Sequence, residues 1–173
     1  MTVSTQAVER LVSVLGTDRA RSSLLVDLDA LAAADGRGLL PDALPAVLYG
    51  VWRALGGALA VIGSGSVDEI DARLTPVRLP VLGHDGRQWR PSPEQPSAVR
   101  EFTEPGRALA DGLRRDPSFA ERRLLVLGSG SRRLTDAAAG SDENLSVTGP
   151  DPRQTASALI GALARALTQR MPN

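Results

Sequence analysis

Two short apolar runs break off at the same text. LAVIGSGS covers residues 59–66 and LLVLGSGS covers residues 124–131, and each leads into a segment with helical spacing. A Val/Ile/Leu-rich run stopped by a Gly-Ser turn is the pattern of a buried parallel strand meeting the next helix. Around these runs the periodicity predicts a helix over 5–15, with Val8, Leu11, Val12 and Leu15 on one face and Gly16 past its end. SSLLVDLD (22–29) reads as a buried strand ending in two acids. LPDALPAVLYGVWRALGG (40–57) reads as a helix with Pro41 at its start, Leu44, Val47, Leu48, Val51 and Leu55 as its apolar stripe, and Gly56-Gly57 as its stop.

Further along, ALAVI (58–62) is a second strand, VDEIDARL (67–74) a short helix and LPVLG (79–83) a third strand. Residues 90–105 carry four prolines among polar residues and read as a linker, placed at 91–105. GRALADGLRR (106–115) is again helical, RLLVLG (123–128) is a strand, and LSVT (145–148) is a short strand inside a polar loop. A last helix covers about 154–169, with Ala158, Leu159, Ala162, Leu163 and Leu167 apolar. Strands alternating with helices predict one α/β domain, a mostly parallel sheet with helices on both faces. Ligands of such sheets sit beyond the carboxyl ends of the strands, at a switch in strand order. Asp27, Asp29, the Gly63 turn, His84 and the Gly128 turn all fall at predicted strand ends.

Composition narrows the chemistry. The chain has 173 residues, with 20 basic and 20 acidic side chains interspersed, so its net charge of zero gives no electrostatic case for nucleic acid or an anionic membrane. Aromatic residues at 3% leave little material for stacking bases. There is no cysteine and one histidine, which excludes disulfides, thiolate nucleophiles and multi-histidine metal sites. Every basic residue is arginine, so a Schiff base or a P-loop lysine is closed to this chain. The amino-terminal segment has Glu9 and Arg10 within its apolar stretch, unlike a signal peptide, and no apolar run is long enough to span a bilayer. A cytoplasmic location is the expectation.

The strongest chemical signal is DLD. Asp27 and Asp29, two carboxylates one residue apart at a strand end, can divide roles once the chain curls away, one as nucleophile and metal ligand and the other as general acid and base, with Mg²⁺ as the natural hard cation. Solvated strand-end residues, or aspartate as a turn-former, are the alternative. The two Gly-Ser turns lack both the third glycine of a dinucleotide fingerprint and the Gly-Lys ending of a P-loop. They are plain strand-to-helix turns, anion-binding remnants or catalytic loops. The second is the better anion candidate, since Arg132 and Arg133 follow it. His84 and Asp85, adjacent in a Gly-bounded turn, read as structural, and Trp52 and Trp89 as packing residues.

LLVDLDALAAAD and the stretch from LPDALPAVLYG through GSGSVDEIDARLTPVRLPVLGHDGRQWR resemble the first half of trehalose-6-phosphate phosphatases of the haloacid dehalogenase superfamily. GRALADGLRRDPSFAERRLLVLG is similar to the approach to that family's last acidic motif. The resemblance implies a haloacid-dehalogenase-like, Rossmann-like α/β core with Asp27 as phosphoryl acceptor and Mg²⁺ ligand, and Asp29 as acid and base. It also implies phosphate contacts from Gly63, Ser64, Ser129 and Gly130. Arg107 stands in the neighbourhood of the family's lysine.

The chemistry departs from that pattern. Ala30-Leu31 replace the Gly-Thr after the second aspartate, and the arginine of the Ser-Gly-Arg motif is missing at residues 63–65. Ser129 and Gly130 stand in place of paired aspartates, Arg132 and Arg133 where acids are expected, and Asp136 is the nearest carboxylate. The linker replaces the family's cap domain, which supplies sugar recognition and excludes water. The expectation is a catalytically impaired pseudoenzyme with a binding or regulatory role in trehalose metabolism, its candidate partners a sugar phosphate or an enzyme of trehalose synthesis. A working Mg²⁺-dependent phosphatase and a small nucleotide-binding or scaffolding module are the alternatives.

Overall fold

The structure, a computed structural model, describes residues 9–33, 42–95, 97–104, 111–128, 143–146, 161, 164 and 165. Seven strands form one sheet in the order β5-β4-β3-β2-β1-β6-β7. They are β1 (Ser22–Asp27), β2 (Leu59–Ile62), β3 (Val81–Gly83), β4 (Gln88–Arg90), β5 (Arg100–Glu101), β6 (Arg123–Gly128) and β7 (Glu143–Ser146). β1 pairs in parallel with β2 and β6, β2 with β3, and β6 with β7, whereas β3–β4 and β4–β5 are antiparallel. The sheet is thus mostly parallel and helix-flanked, compatible with a haloacid-dehalogenase-like, Rossmann-like fold. The chain leaves β1 toward β2 on one side and returns as β6 on the other, so the carboxyl end of β1 is a switch point.

Alternation along the strands separates two apolar layers. Leu24 and Val26 of β1, with Leu59, Val61, Val81, Leu125 and Leu127, pack on one face. Covering them are α1 (residues 9–13), α3 (Leu44–Ala54) and α4 (Val67–Leu74), through Leu11, Leu48, Val51, Ile70 and Leu74. On the other face Leu25, Ala60, Ile62, Leu82, Leu124 and Val126 meet Trp89, Leu113 and Phe119. Trp89 stands edge-on to Phe119 with ring centroids 6.1 Å apart, and Trp52 lies 5.4 Å from Tyr49, so both tryptophans pack as expected.

Four differences from the sequence pattern matter. The first helix does not stop at Gly16 but widens into a π-turn over Val14–Asp18. The SSLLVDLD strand ends at Asp27, and a six-residue helix, α2 (Leu28–Ala33), begins at once, so Asp29 lies in a helix and not at the strand end. The cause is local: Asp27 Oδ1 accepts the N–H groups of Asp29 (3.0 Å) and Ala30 (3.2 Å), the hydrogen bonds of an aspartate helix cap. β4 and β5 were not legible as strands; β5 lies within the Pro-rich segment, and Arg90 at its head closes β4 with its side chain buried. Residues 111–115, part of the expected helix over 106–115, form π and 3-10 turns. Of the expected helix over 154–169, residues 161, 164 and 165 are described, and they are helical.

Candidate functional site

The carboxyl edge of the sheet brings together three segments distant in sequence: Asp27 and Asp29 after β1, the Gly63–Ser64–Gly65 turn after β2, and the His84–Asp85 turn between β3 and β4. The backbone stitches them. His84 donates its N–H to the Gly65 carbonyl (2.8 Å), and Asp85 donates to that of Gly63 (2.9 Å). To do so the hairpin turn takes left-handed φ at His84 (49°), Asp85 (55°) and Gly86 (91°), a conformation that costs most side chains about 1 kcal/mol or more and that aspartate and histidine tolerate better than most. The turn is structural, as expected, and it also delivers Asp85 toward Asp27. Gly83 just before it is forced by space, since a Cβ there would stand 2.9 Å from the backbone nitrogen of Val67.

Asp27 is half-buried. Burial pushes its carboxyl above the usual carboxylate range, and the negative charges of Asp29 and Asp85 push the same way, while the N–H groups of Ala30 and Asp29 pull it down. Asp29 is held on both oxygens: Oδ2 accepts the Ser64 N–H at 2.8 Å, and Oδ1 meets Arg73 Nη1 at 3.3 Å. Gly63 lies beside this pair, where a Cβ would crowd Ile70 at 3.2 Å and stand 3.9 Å from Asp29 Oδ1.

Several donors at the first Gly-Ser turn are spent within the protein. Besides Ser64, the Val67 N–H goes to Gln88 Oε1 (3.2 Å), and the Glu69 N–H goes to the Ser66 hydroxyl (3.1 Å), which caps α4. Asp68 and Glu69 occupy the first turn of that helix, so negative charge already sits where an incoming anion would meet the helix dipole. Of the residues expected at a phosphate site, Gly63 and Ser64 lie at this edge. Arg107, Ser129, Gly130, Arg132, Arg133 and Asp136 lie outside the described residues.

Among the described residues the donor set for a divalent cation is incomplete. Among the described residues no group of three His, Cys, Asp or Glu side chains converges to hold a metal ion. Asp27 has Oδ1 shared by two N–H groups and only Oδ2 clear of hydrogen bonds to the described residues, and Asp29 has each oxygen facing a donor. A Mg²⁺ site needs about six oxygen ligands, some from water, around carboxylates free to turn toward it. The described residues do not fit that requirement.

Sequence reasoning missed Arg73. A signal existed: in VDEIDARL it stands three residues after Ile70, at the margin of the apolar stripe of α4 that faces the strand ends.

Sequence comparison finds no family model that matches the chain. It is similar to a protein of Sinorhizobium fredii described as "Probable trehalose-phosphate phosphatase", with 33% identity over 86 residues. The match takes in 47% of this chain, and it spans about a third (32%) of that relative's length. No described helix is long and apolar enough to cross a membrane.

Proposed function

We propose that this chain is a trehalose-phosphatase-like protein whose catalytic set is impaired and whose remaining role is to bind a sugar phosphate, or a partner enzyme of trehalose metabolism, at the carboxyl edge of the sheet. The similarity to the S. fredii protein supports the family relationship. One observation carries the impairment. In phosphoryl transfer to Asp27, Asp29 would carry the proton for the leaving oxygen, yet both its oxygens face donors, Ser64 N–H and Arg73. Both contacts tie the Asp29 carboxyl to the protein. Asp27 is likewise engaged as a helix cap, although its Oδ2 has no hydrogen bond to the described residues. That oxygen is what the alternative of a working phosphatase would use.

Charge tells in the same direction. A phosphate dianion at this edge approaches Asp27, Asp29 and Asp85, and the chain contains no lysine to offset them. In this reading Gly63 and Ser64, with Ser129, Gly130 and Arg107, line the phosphate end of the ligand. The Ser64 N–H reaches a phosphate only by leaving Asp29. Loss of a single positioned donor lowers phosphoryl- or acyl-transfer rates by about two to three orders of magnitude, so several departures together leave little turnover.

The test is phosphate release from trehalose 6-phosphate with and without Mg²⁺, with Asp27→Asn as control, beside calorimetric titration of the same compound. Saturable binding with no release above the control is expected. Mg²⁺-dependent release that vanishes in Asp27→Asn would establish the working phosphatase instead.

A further inference from the structure

The carboxylate of Asp29 is held by the donors that an oxyanion takes. Oδ2 accepts the Ser64 N–H at 2.8 Å, and Oδ1 meets Arg73 Nη1 at 3.3 Å, so a backbone amide of a Gly-Ser turn and a guanidinium close on it from two sides. The grip is open to solvent, with Arg73 30% and Asp29 36% exposed. Arg73 engages through one nitrogen, and among the described residues neither its other nitrogens nor the exposed Ser64 hydroxyl takes a partner. Both donors have fixed positions. A Cβ on Gly63 would stand 3.2 Å from Ile70, one turn before Arg73, so the Gly-Ser turn lies against the helix that carries the arginine.

We propose that the Ser64 N–H and Arg73 form an oxyanion seat that Asp29 fills as a tethered stand-in, and that a phosphate monoester binds this edge by turning the Asp29 carboxylate out into solvent. The inference rests on the sugar-phosphate reading for the class of ligand. It adds Arg73 as the residue that holds the phosphate and Asp29 as the one that competes with it. A phosphate group can accept two parallel bonds from a guanidinium, where Asp29 takes one. Against that gain stand the loss of the Asp29 contacts and repulsion from nearby acids, among them Glu69, whose Oε2 would stand 2.9 Å from a Cβ on Gly65. Binding to the wild type is therefore weak, and emptying the seat strengthens it.

The experiment titrates inorganic phosphate into the full chain and follows the Ser64 amide by NMR. Asp29→Ala empties the seat and keeps α2, since Asp27 still caps that helix and alanine favours it. It should bind phosphate at least about tenfold more tightly than the wild type, the worth of one hydrogen bond to a charged group. Asp29→Asn should gain less, because its amide oxygen can still accept the Ser64 N–H. Adding Arg73→Met to Asp29→Ala should remove most of the gain, while adding Arg73→Lys should keep part of it as a point charge. Glu69→Gln removes a carboxylate from the same turn without emptying the seat, and should gain no more than about threefold, the range of an exposed charge. Equal affinity in Asp29→Ala and the wild type overturns the proposal. So does a gain from Glu69→Gln as large as that from Asp29→Ala, or one in Asp29→Ala that survives Arg73→Met in full. Calorimetry with trehalose 6-phosphate on the wild type decides the previous reading separately, since the seat is judged by inorganic phosphate across the variants.

Discussion

Two ion pairs leave the same short helix from positions two residues apart, and they are built differently. Asp71 of α4 grips Arg90 of β4 through both guanidinium nitrogens, one contact being very short and the other 2.8 Å, while the Leu79 carbonyl accepts from Arg90 Nη2 at 2.7 Å. The side chains are 0% and 15% exposed. Arg73 reaches Asp29 through one nitrogen at 3.3 Å, with about a third of each side chain in solvent. The first pair locks α4 against the antiparallel extension of the sheet and cannot be rearranged without opening the core. The second sits at the candidate site, where water screens it and a competing charge can replace it. Permanence belongs to the scaffold, and exchangeability to the edge where ligands of such sheets bind.

Breaking the buried pair gives the largest expected effect. Arg90→Met leaves Asp71 with its charge mostly out of water and the Leu79 carbonyl without its guanidinium donor, a loss of about 3 kcal/mol read from the urea midpoint. Adding Asp71→Leu should restore a large part of it, because the destabilisation comes from an orphaned charge rather than a lost attraction. Arg90→Lys should not rescue, having one head group for three acceptor contacts. Wild-type stability in Arg90→Met would erase the distinction between the two pairs.

The next effect lies at the other end of α4. Ser66 caps the helix by accepting the Glu69 N–H, and Ser66→Ala should cost about 1 kcal/mol by the same urea assay. The variant loosens the helix that carries both pairs without touching either, so it measures how much of the Arg73 contact depends on the helix frame.

Much of this was legible beforehand, for physical reasons particular to each element. The buried runs of β1, β2 and β6 announce themselves because strands covered on both faces are apolar at nearly every position. VDEIDARL reads correctly as α4 because Ser66 caps it and Val67, Ile70 and Leu74 repeat at helical spacing. β4 and β5 escaped notice because three and two residues carry no period, and a buried arginine looks like a surface residue until its partner is known. At the site, sequence position alone gathered Asp27, Asp29, the Gly63 turn, His84 and the Gly128 turn at one edge; the first four stand there, and the turn after Gly128 lies outside the described residues. For Arg73 the helix position was legible but the partner was not, since its link to Asp29 is a contact across 44 residues.

Arg73→Gln itself should change stability by less than about 1 kcal/mol, the range for a partly exposed pair, and by less still in high salt. The contrast with Arg90→Met in one urea series is the sharpest form of the comparison. A loss at Arg73 as large as that at Arg90 would make Arg73 a structural clamp.

The smallest effect has an unusual sign. Because burial and the charges of Asp29 and Asp85 raise the Asp27 carboxyl in the folded chain, folding binds a proton there more tightly than the unfolded chain does. Stability from this group is therefore full below its ordinary value of 3.8 and is lost as pH rises through the raised folded value. At neutral pH the ionised Asp27 opposes folding, offset in part by the two N–H groups it caps. Asparagine caps a helix as well as aspartate does and carries no charge. Asp27→Asn should accordingly raise Tm at pH 7 by roughly 2 °C, and the gain should shrink toward zero as the pH approaches 3. A Tm that falls at pH 7 would mean that the ionised carboxylate is worth more to the cap than its crowding with Asp29 and Asp85 takes away, and the edge would then be a structural joint with no strain held for a ligand.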